Sequence, residues 1–375
     1  MLVVMRKVAA WASVVLVAAG CGSADTATET APAPMETAQL EAIDAPLLVF
    51  PGAEWDAEPV GDWTALDATL QRDASTCVAV VKDGKLVHEA YFNGGGADRP
   101  ERVYSITKSL TALLVGIRVD AGDVALSDHV ARWVPQWQGT RAADVTVHHL
   151  LSMTSGRRWS EQTDDTLINR SPDQTAFAIG LDQVADPGQR WVYDNAAPQV
   201  LERVLGDDVV GLARTRLFAP LQMTNTTWPT DRAGNATTYS GVRSTCRDLA
   251  RIGWLVLNGG RWDSEQIVSA DFVRQMTSGS SALNAAYGLL WWTNDEGRVV
   301  QVLRLAGFPA DIPPYRGRLA PNVPGDASWA FGYGNQYVAV VPSEGVVAVR
   351  LGRRPATAER VTFDTFTAGV LDALE

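Results

Sequence analysis

The sequence predicts an α+β fold in which both ends of the chain contribute strands to one antiparallel sheet, with flanking helices and an inserted, mainly helical subdomain. Three observations support this prediction: a hairpin pattern near each end, a run of helical patterns between them, and a final amphipathic helix. The 375 residues suffice for one domain with a large core, which we expect over 46–375. A cleft between the sheet and the helical insert is then the natural pocket.

Each hairpin pattern consists of two short runs rich in β-branched and aromatic residues. The first comprises Cys77–Val81 and Leu86–Phe92, and Asp83-Gly84 between them is typical of a type I′ turn. The second comprises Gln336–Val341 and Val346–Leu351, which flank a turn that contains proline and glycine. We therefore expect these four strands to pair within one sheet.

Helical periodicity occupies most of the chain between the two hairpins. It is clearest over Thr146–Met153, Gln199–Leu205 and Thr245–Leu257. After the second hairpin, a last helix presents its apolar side chains on one face, namely Phe363, Phe366, Val370 and Leu371. These segments predict the helical insert and a helix that closes the chain.

The N-terminal segment has the layout of a secretory signal, with Arg6 and Lys7 before an apolar stretch that ends in small residues and Cys21. This end resembles a bacterial lipobox, although Ala18 stands where leucine or valine is usual. We predict a lipoprotein signal over 1–21, a flexible tether rich in Ala, Thr and Pro over 22–45, and lipidation at Cys21. The protein would then be exported and anchored to the outer face of the cell membrane. The alternative is an ordinary signal peptide cleaved nearby.

Composition limits the partners of the domain. The formal net charge of −11 repels phosphate backbones, so we expect no nucleic-acid binding. The chain has four histidines, the last of them His149, and no C-x-x-C pair, so we expect no metal and no cofactor. Cys77 and Cys246 lie in the exported part, where a disulfide is permitted, but the sequence leaves their pairing open. It also leaves the oligomeric state open.

The sequence Ser105-Ile106-Thr107-Lys108 opens an apolar helix and places a lysine in its first turn. A cation there faces the positive end of the helix dipole, which costs a few tenths of a kcal/mol or more. The dipole and burial both disfavour the ammonium form and lower the lysine pKa. Ser105 and Lys108 are three positions apart and share one helix face, so the amine can deprotonate the hydroxyl. The alternative is a capping serine beside a lysine that extends to water.

A second candidate segment follows the turn at Asp186-Pro187-Gly188. Tyr193 and Asn195 are two positions apart, so they project to the same side if the segment is extended. A phenol near Lys108 would relay a proton to a leaving group, and an amide would hold a substrate carbonyl. The alternative for each is a surface loop residue.

Because the Ser105–Lys108 segment precedes the Tyr193–Asn195 segment, the chain resembles the penicillin-recognising serine hydrolases. This group includes class C β-lactamases, D-alanyl-D-alanine carboxypeptidases and related esterases and amide hydrolases. The resemblance extends from about Trp63 to the C-terminus. The matching stretches are 103–108, 146–156, 187–195, 220–223, 244–251 and 287–288. It implies the β-lactamase/transpeptidase-like fold.

The resemblance also implies roles for individual residues. Ser105 would be the acylated nucleophile, Lys108 its base and Tyr193 the proton relay, while Asn195 would orient the substrate. The backbone N–H of Ser105 would supply one half of an oxyanion hole. The other half would come from the edge strand near Asn335 or Gln336.

The chain departs from the family at the third motif. The family places Lys-Thr-Gly, or histidine in place of the lysine, on the strand before the C-terminal hairpin, where this chain has Phe331–Gln336. The missing cation removes a charge-assisted contact worth about 1.5 to 3 kcal/mol for a substrate carboxylate. We expect Tyr333 and Gly334 on this strand to contact substrate. Arg316 and Arg318 are candidates for a substitute cation from a neighbouring loop, but the sequence leaves their position open.

Tryptophan is abundant, with 13 residues, and five lie in segments expected near the cleft. They are Trp159, Trp191, Trp291, Trp292 and Trp329. The alternative is core and loop packing, which would account for most of them. A pocket walled by the rest suits an apolar acyl or aryl group, which favours neutral esters or amides as substrates.

Together these observations predict an exported, membrane-tethered serine hydrolase that cleaves a small-molecule ester or amide through a Ser105 acyl-enzyme. Two alternatives stay open. One is a β-lactamase or D-alanyl-D-alanine carboxypeptidase. The other is a catalytically silent ligand-binding lipoprotein of the same fold.

Overall fold

A six-stranded antiparallel sheet organises the fold in the computed structural model of the chain, which describes residues 49–302, 313–353 and 361–375. The predicted signal over 1–21, Cys21 and the tether over 22–45 lie outside these residues. The strands in chain order are β1 (Ser75–Lys82), β2 (Lys85–Tyr91), β3 (Glu101–Arg102), β4 (Arg243–Ser244), β5 (Arg261–Trp262), β6 (Glu265–Gln266), β7 (Trp292–Thr293), β8 (Gly297–Val299), β9 (Tyr315–Gly317), β10 (Ser328–Gly332), β11 (Gln336–Val341) and β12 (Val346–Gly352). The order across the large sheet is β2-β1-β12-β11-β10-β7.

The two predicted hairpins meet in the middle of this sheet. Strand β1 pairs antiparallel with β12, with Val78 opposite Arg350, and so joins the N-terminal hairpin to the C-terminal one. Asp83 and Gly84 both have positive φ, +51° and +86°, as a type I′ turn requires. The prediction that both chain ends build one antiparallel sheet is therefore confirmed.

Helices account for much of the described chain outside the strands. The α-helices are α1 (Thr64–Arg72), α2 (Ile106–Asp120), α3 (Val147–Leu151), α4 (Ile168–Arg170), α5 (Gln174–Gly180), α6 (Ala196–Leu205), α7 (Val209–Ala213), α8 (Cys246–Leu257), α9 (Ala270–Met276) and α10 (Phe363–Leu374). Short 3₁₀ segments cover Val130–Arg132, Pro135–Trp137, Arg141–Asp144 and Pro342–Glu344, and π-helical turns cover Gln162–Leu167 and Arg214–Phe218. The predicted helices thus exist, with side-chain caps from Thr146 on α3 and Thr245 on α8.

Helices cover both faces of the sheet. On one face, Tyr337 of β11 stacks on Phe366 of α10 at a centroid distance of 5.5 Å. The next residue, Val338, points to the other face, where α8 packs. A Cβ on Gly253 of α8 would lie 2.3 Å from Cγ1 of Val347, so glycine permits the close approach of this helix.

None of the helices in the described ranges is both long and apolar enough to cross a bilayer.

A disulfide between Cys77 and Cys246 links β1 to the first residue of α8. The two cysteines are 169 positions apart in the chain. The pairing that the sequence left open is therefore present in the structure. Because the helix and the strand belong to different parts of the chain, the cross-link fixes α8 against the sheet.

Removing this disulfide is expected to lower the free energy of unfolding by about 3 to 5 kcal/mol, because a long loop in the unfolded chain is no longer closed. Urea denaturation of the oxidised protein and of the Cys77→Ala/Cys246→Ala variant measures the difference. Wild-type protein treated with a reductant is the control and should match the variant. Equal urea midpoints for the oxidised protein and the variant would contradict this prediction.

Candidate active site

The predicted serine and lysine lie at the start of helix α2. Ser105 directly precedes the helix, and its hydroxyl makes no capping hydrogen bond to the helix backbone. The Nζ of Lys108 donates a hydrogen bond to the Oγ of Ser105 at 2.9 Å instead. Tyr104 has a φ of +48°, a conformation that costs about 1 kcal/mol or more for a bulky residue. This backbone turn sets the position of Ser105, which lines a cavity.

Lys108 is fully enclosed, with 1% of its surface exposed. Besides Ser105, its Nζ donates to the Oδ1 of Asn195 at 2.6 Å and to the main-chain O of Tyr239 at 3.0 Å. Burial lowers the pKa of Lys108 to about 8, and the carboxylates of Asp164, Asp194 and Asp165 partly offset that effect. This shift favours the neutral amine that a general base requires.

Tyr193 is held by aromatic rings on the core side of the cavity. Its ring stacks on Trp292 at 5.9 Å and meets the edge of Tyr287 at 6.0 Å. The Nζ of Lys108 lies 5.0 Å from the centre of the Tyr193 ring. Burial raises the pKa of Tyr193 above its ordinary value, and a hydrogen bond with the Ser105 side chain works in the opposite direction. The phenol stays protonated and lies within reach of the serine.

Asn195 directly precedes helix α6 and connects Lys108 to a segment distant in sequence. Its Oδ1 accepts from Lys108, and its Nδ2 donates to the main-chain O of Asp164 at 3.0 Å. The prediction that Tyr193 and Asn195 face the same side is confirmed, because both line one cavity with Ser105. The prediction that Asn195 orients substrate is not tested and stays a prediction.

This cavity, which we call the Ser105 cavity, has a volume of about 680 Å³. Its described lining residues are Arg102, Tyr104, Ser105, Glu161, Asp164, Asp165, Asn169, Gln174, Tyr193, Asn195, Tyr239, Ser240 and Tyr333. A larger cavity of about 1070 Å³, bounded by residues from Trp133 to Arg203, includes none of the predicted site residues. We place the site at the Ser105 cavity because the reactive side chains converge there.

The third-motif segment contributes one side chain to the cavity. The sequence predicted that Tyr333 and Gly334 lie on a strand. Strand β10 ends at Gly332 instead, so both residues lie in the turn to β11. Tyr333 lines the cavity and packs against Tyr104 at a centroid distance of 5.4 Å. Gly334 is not among the described lining residues, and its carbonyl accepts from Nη1 of Arg350 at 2.6 Å.

The prediction that tryptophans line the substrate pocket is wrong. Among the described residues that line the Ser105 cavity there is no tryptophan. Trp291, Trp292 and Trp329 are at least 97% buried in the core, and Trp191 packs against Trp292 at 6.0 Å. These large rings stabilise the layer behind Tyr193, whereas tyrosines and carboxylates form the cavity wall.

The two candidates for a substitute cation do not line the described cavity. Arg316 lies on β9 and pairs with β8, and neither it nor Arg318 is among the described residues lining the Ser105 cavity. The arginine that does line it is Arg102, which donates to the Oγ of Ser240 at 3.0 Å. Its guanidinium lies 4.8 Å from the centre of the Tyr104 ring. Sequence reasoning missed Arg102, although it lies only three residues before the serine.

No group of three or more histidine, cysteine or acidic side chains in the described ranges is arranged to hold a metal ion.

Comparison of the chain with known proteins shows that it is a serine hydrolase. Within that class it belongs to the β-lactamase family, whose profile matches residues 67–370. The family relationship predicted from the ordered motifs is confirmed. The lipoprotein part of that prediction is not tested by this match.

Individual relatives differ in their chemistry. The chain is 26% identical to the 6-aminohexanoate-dimer hydrolase of Paenarthrobacter ureafaciens over 284 residues, which is 65% of this chain and 72% of that protein. It is 45% identical to Esterase EstB of Burkholderia gladioli over 144 residues, 32% of this chain and 36% of that protein. A solved structure from Bacteroides dorei superposes with a TM-score of 0.67 at 20% identity, covering 84% of this chain and 99% of that chain. This likeness confirms the predicted fold.

Proposed function

We propose that this protein hydrolyses an ester or amide bond of a small molecule through an acyl-enzyme on Ser105. One observation carries the proposal: the buried Nζ of Lys108 lies 2.9 Å from the Oγ of Ser105. A neutral amine at this distance accepts the hydroxyl proton while the oxygen attacks the substrate carbonyl carbon. The backbone N–H of Ser105, at the start of α2, is one donor for the oxyanion that forms.

Tyr193 completes the first half of the reaction. Tyr193 lines the cavity, with its ring centre 5.0 Å from the Nζ of Lys108, and its protonated phenol transfers a proton to the leaving nitrogen or oxygen as the bond to the acyl carbon breaks. Tyr193 then regains a proton from Lys108, which returns the amine to its neutral form. In the second half, water attacks the acyl carbon, and Tyr193 accepts a proton from that water while it passes its own phenol proton to the neutral Lys108. Lys108 then gives this proton to the Ser105 oxygen as the serine leaves, which restores the neutral amine, the phenol and the hydroxyl.

The lining of the Ser105 cavity supports a polar substrate. Hydroxyl, amide and carboxylate groups of residues such as Tyr333, Asn169 and Glu161 face it, together with Arg102. The 6-aminohexanoate-dimer hydrolase and the esterase among the relatives support amide and ester bonds as the reacting groups. We therefore place small polar esters and amides ahead of aryl-rich substrates.

A labelling experiment tests the proposal. The purified protein is incubated with a fluorophosphonate probe, and the labelled peptide is identified by mass spectrometry. We expect a covalent adduct on Ser105, and the absence of that adduct would overturn the proposal. Esters of graded chain length, D-amino-acid amides and a chromogenic cephalosporin then define the reaction. Turnover of the cephalosporin without turnover of esters or amides would favour a β-lactamase.

We also propose export and lipid anchoring at Cys21. The apolar stretch and small residues before Cys21 support it, and the disulfide between Cys77 and Cys246 is of the kind that persists in oxidising compartments. Cys21→Ser is expected to move the full-length protein from the membrane fraction to the soluble fraction, as measured by immunoblotting. Ser23→Ala is the matched control and should stay with the membrane. Membrane association of Cys21→Ser equal to wild type would refute lipidation at this residue.

A further inference from the structure

We propose that Asp164 is a positioning residue, which holds Asn195 so that its amide oxygen keeps the amine of Lys108 against Ser105. This inference rests on the proposed function, since it assigns a role within the same site. Asp164 lies in the π-helical turn Gln162–Leu167, a segment that the sequence analysis did not single out. Turns of this kind occur frequently at functional sites.

Asp164 contacts Asn195 at two points. Its carboxylate Oδ1 accepts the backbone N–H of Asn195 at 2.6 Å. Its main-chain O accepts the side-chain Nδ2 of Asn195 at 3.0 Å. The second contact fixes which end of the amide faces Lys108, because the Nδ2 end is occupied by the carbonyl. The Oδ1 end therefore points at Nζ of Lys108, 2.6 Å away.

The geometry forms a chain of contacts that ends at the nucleophile. Asp164 orients Asn195, Asn195 accepts from Lys108, and Lys108 donates to Ser105 at 2.9 Å. Without the carboxylate, the backbone at Asn195 loses an acceptor directly before helix α6. A displacement of about 1 Å at a catalytic base can cost on the order of 100-fold in rate.

Asp164 also acts on Lys108 electrostatically. Burial, and to a lesser extent repulsion by Asp194, raise the pKa of Asp164 to about 8, and Lys108 acts in the opposite direction. Reciprocally, the charge of Asp164 raises the pKa of Lys108. The other titratable groups around Asp164 are Asp165 on the same turn, Tyr193 and Tyr239. Since Lys108 and Asp164 titrate in the same range, the acidic limb of the pH profile belongs to the pair.

Two substitutions of Asp164 separate position from charge. Asp164→Asn keeps an oxygen that accepts the Asn195 N–H, so kcat at the pH optimum should stay within about 3-fold of wild type. It removes the charge, so the acidic limb should move to lower pH by about one unit. Asp164→Ala removes both the accepting oxygen and the charge, so kcat should fall by about 10- to 100-fold with little change in KM. Asp123→Asn, which lies in a surface ion pair with Arg118, is the control and should behave as wild type.

A double-variant cycle tests whether Asp164 acts through Asn195. If it does, Asp164→Ala should cause no further loss of kcat in an Asn195→Ala background. Additive losses in the double variant would overturn the proposal. Equal losses for Asp164→Ala and Asp164→Asn, or wild-type kcat in Asp164→Ala, would overturn it as well, because they leave no role for the accepting oxygen.

A spectroscopic readout is independent of turnover. The sequence contains only four lysines, Lys7, Lys82, Lys85 and Lys108, so ¹³Cε-lysine labelling of the full chain gives few resonances to titrate. The Lys108 resonance should titrate near pH 8 in wild type and at lower pH in Asp164→Asn, with Lys82 and Lys85 as internal references. An unchanged Lys108 titration in Asp164→Asn would overturn the electrostatic coupling. Failure of the proposed function would instead appear as an unlabelled Ser105 in wild type.

Discussion

Replacing Ser105 by alanine is expected to lower kcat for ester or amide hydrolysis by about 10⁴- to 10⁶-fold, because the substitution removes the atom that forms the acyl bond. The variant should also lose labelling by a fluorophosphonate. Stability should change little, since the Ser105 hydroxyl makes no capping bond to α2 and alanine fits the same position. Stopped-flow and steady-state kinetics measure the loss, and circular dichroism during urea denaturation measures stability.

Ser109→Ala is the matched control for this experiment. Ser109 lies one turn further along α2 and is buried, but its Oγ donates to the main-chain O of Leu290 and not to the cavity. It should retain labelling at Ser105 and a kcat of the wild-type order. Hydrolysis that persists at the wild-type rate in Ser105→Ala would exclude this serine as the nucleophile. Unchanged ligand binding in a protein without any turnover would favour the catalytically silent alternative.

Replacing Lys108 by methionine should lower kcat/KM by about 10³- to 10⁴-fold, because the variant keeps the aliphatic volume and loses the base. Lys108→Arg should not restore activity, since a guanidinium stays protonated up to about pH 12 and cannot accept the proton of Ser105. Lys82→Met is the matched control, as it removes a lysine from the β1–β2 hairpin, and it should be fully active. Recovery of activity in Lys108→Arg would show that the site needs a charge at this position and not a base.

The pH dependence of wild type follows from Lys108 together with Asp164, which titrates in the same range. Activity requires the neutral amine, and the pKa of Lys108 is lowered to about 8. kcat/KM should therefore rise with pH, reach half its plateau near pH 8, and be about 100-fold below the plateau at pH 6. A flat profile between pH 6 and 9 would contradict a titrating base. A limb centred near 10.5 would show that burial does not lower the pKa in solution.

The features that the sequence predicted correctly are those set by local patterns. The two hairpins and α10 follow from alternation, a turn dipeptide and an apolar helix face, all within about twenty residues. The pairing of Ser105 with Lys108 is equally local, because three positions on a helix fix the separation of the two side chains. Strand β7, by contrast, has only two residues and no pattern that could reveal it.

The features that the sequence could not predict depend on contacts between distant segments. Asp164 reaches Asn195 only because a π-helical turn brings together residues 31 positions apart. The prediction that tryptophans line the cavity was wrong for a related reason. The sequence shows that they lie near the motifs, but it does not show whether each ring points to the core or to the cavity. Trp292 lies directly behind Tyr193 and supports the site without reaching substrate space.

Because β1 pairs with β12, the central sheet can be completed only late in synthesis of the chain. Val78 pairs with Arg350, which is synthesised about 270 residues later, so β1 and β12 cannot pair before then. At a synthesis rate of about 5 to 20 residues per second, that delay is roughly 15 to 50 seconds. A β1–β2 hairpin that forms before β12 is available would present an open strand edge, which is a template for pairing with another chain. We expect shielding of that edge until β12 arrives to raise the yield of active protein.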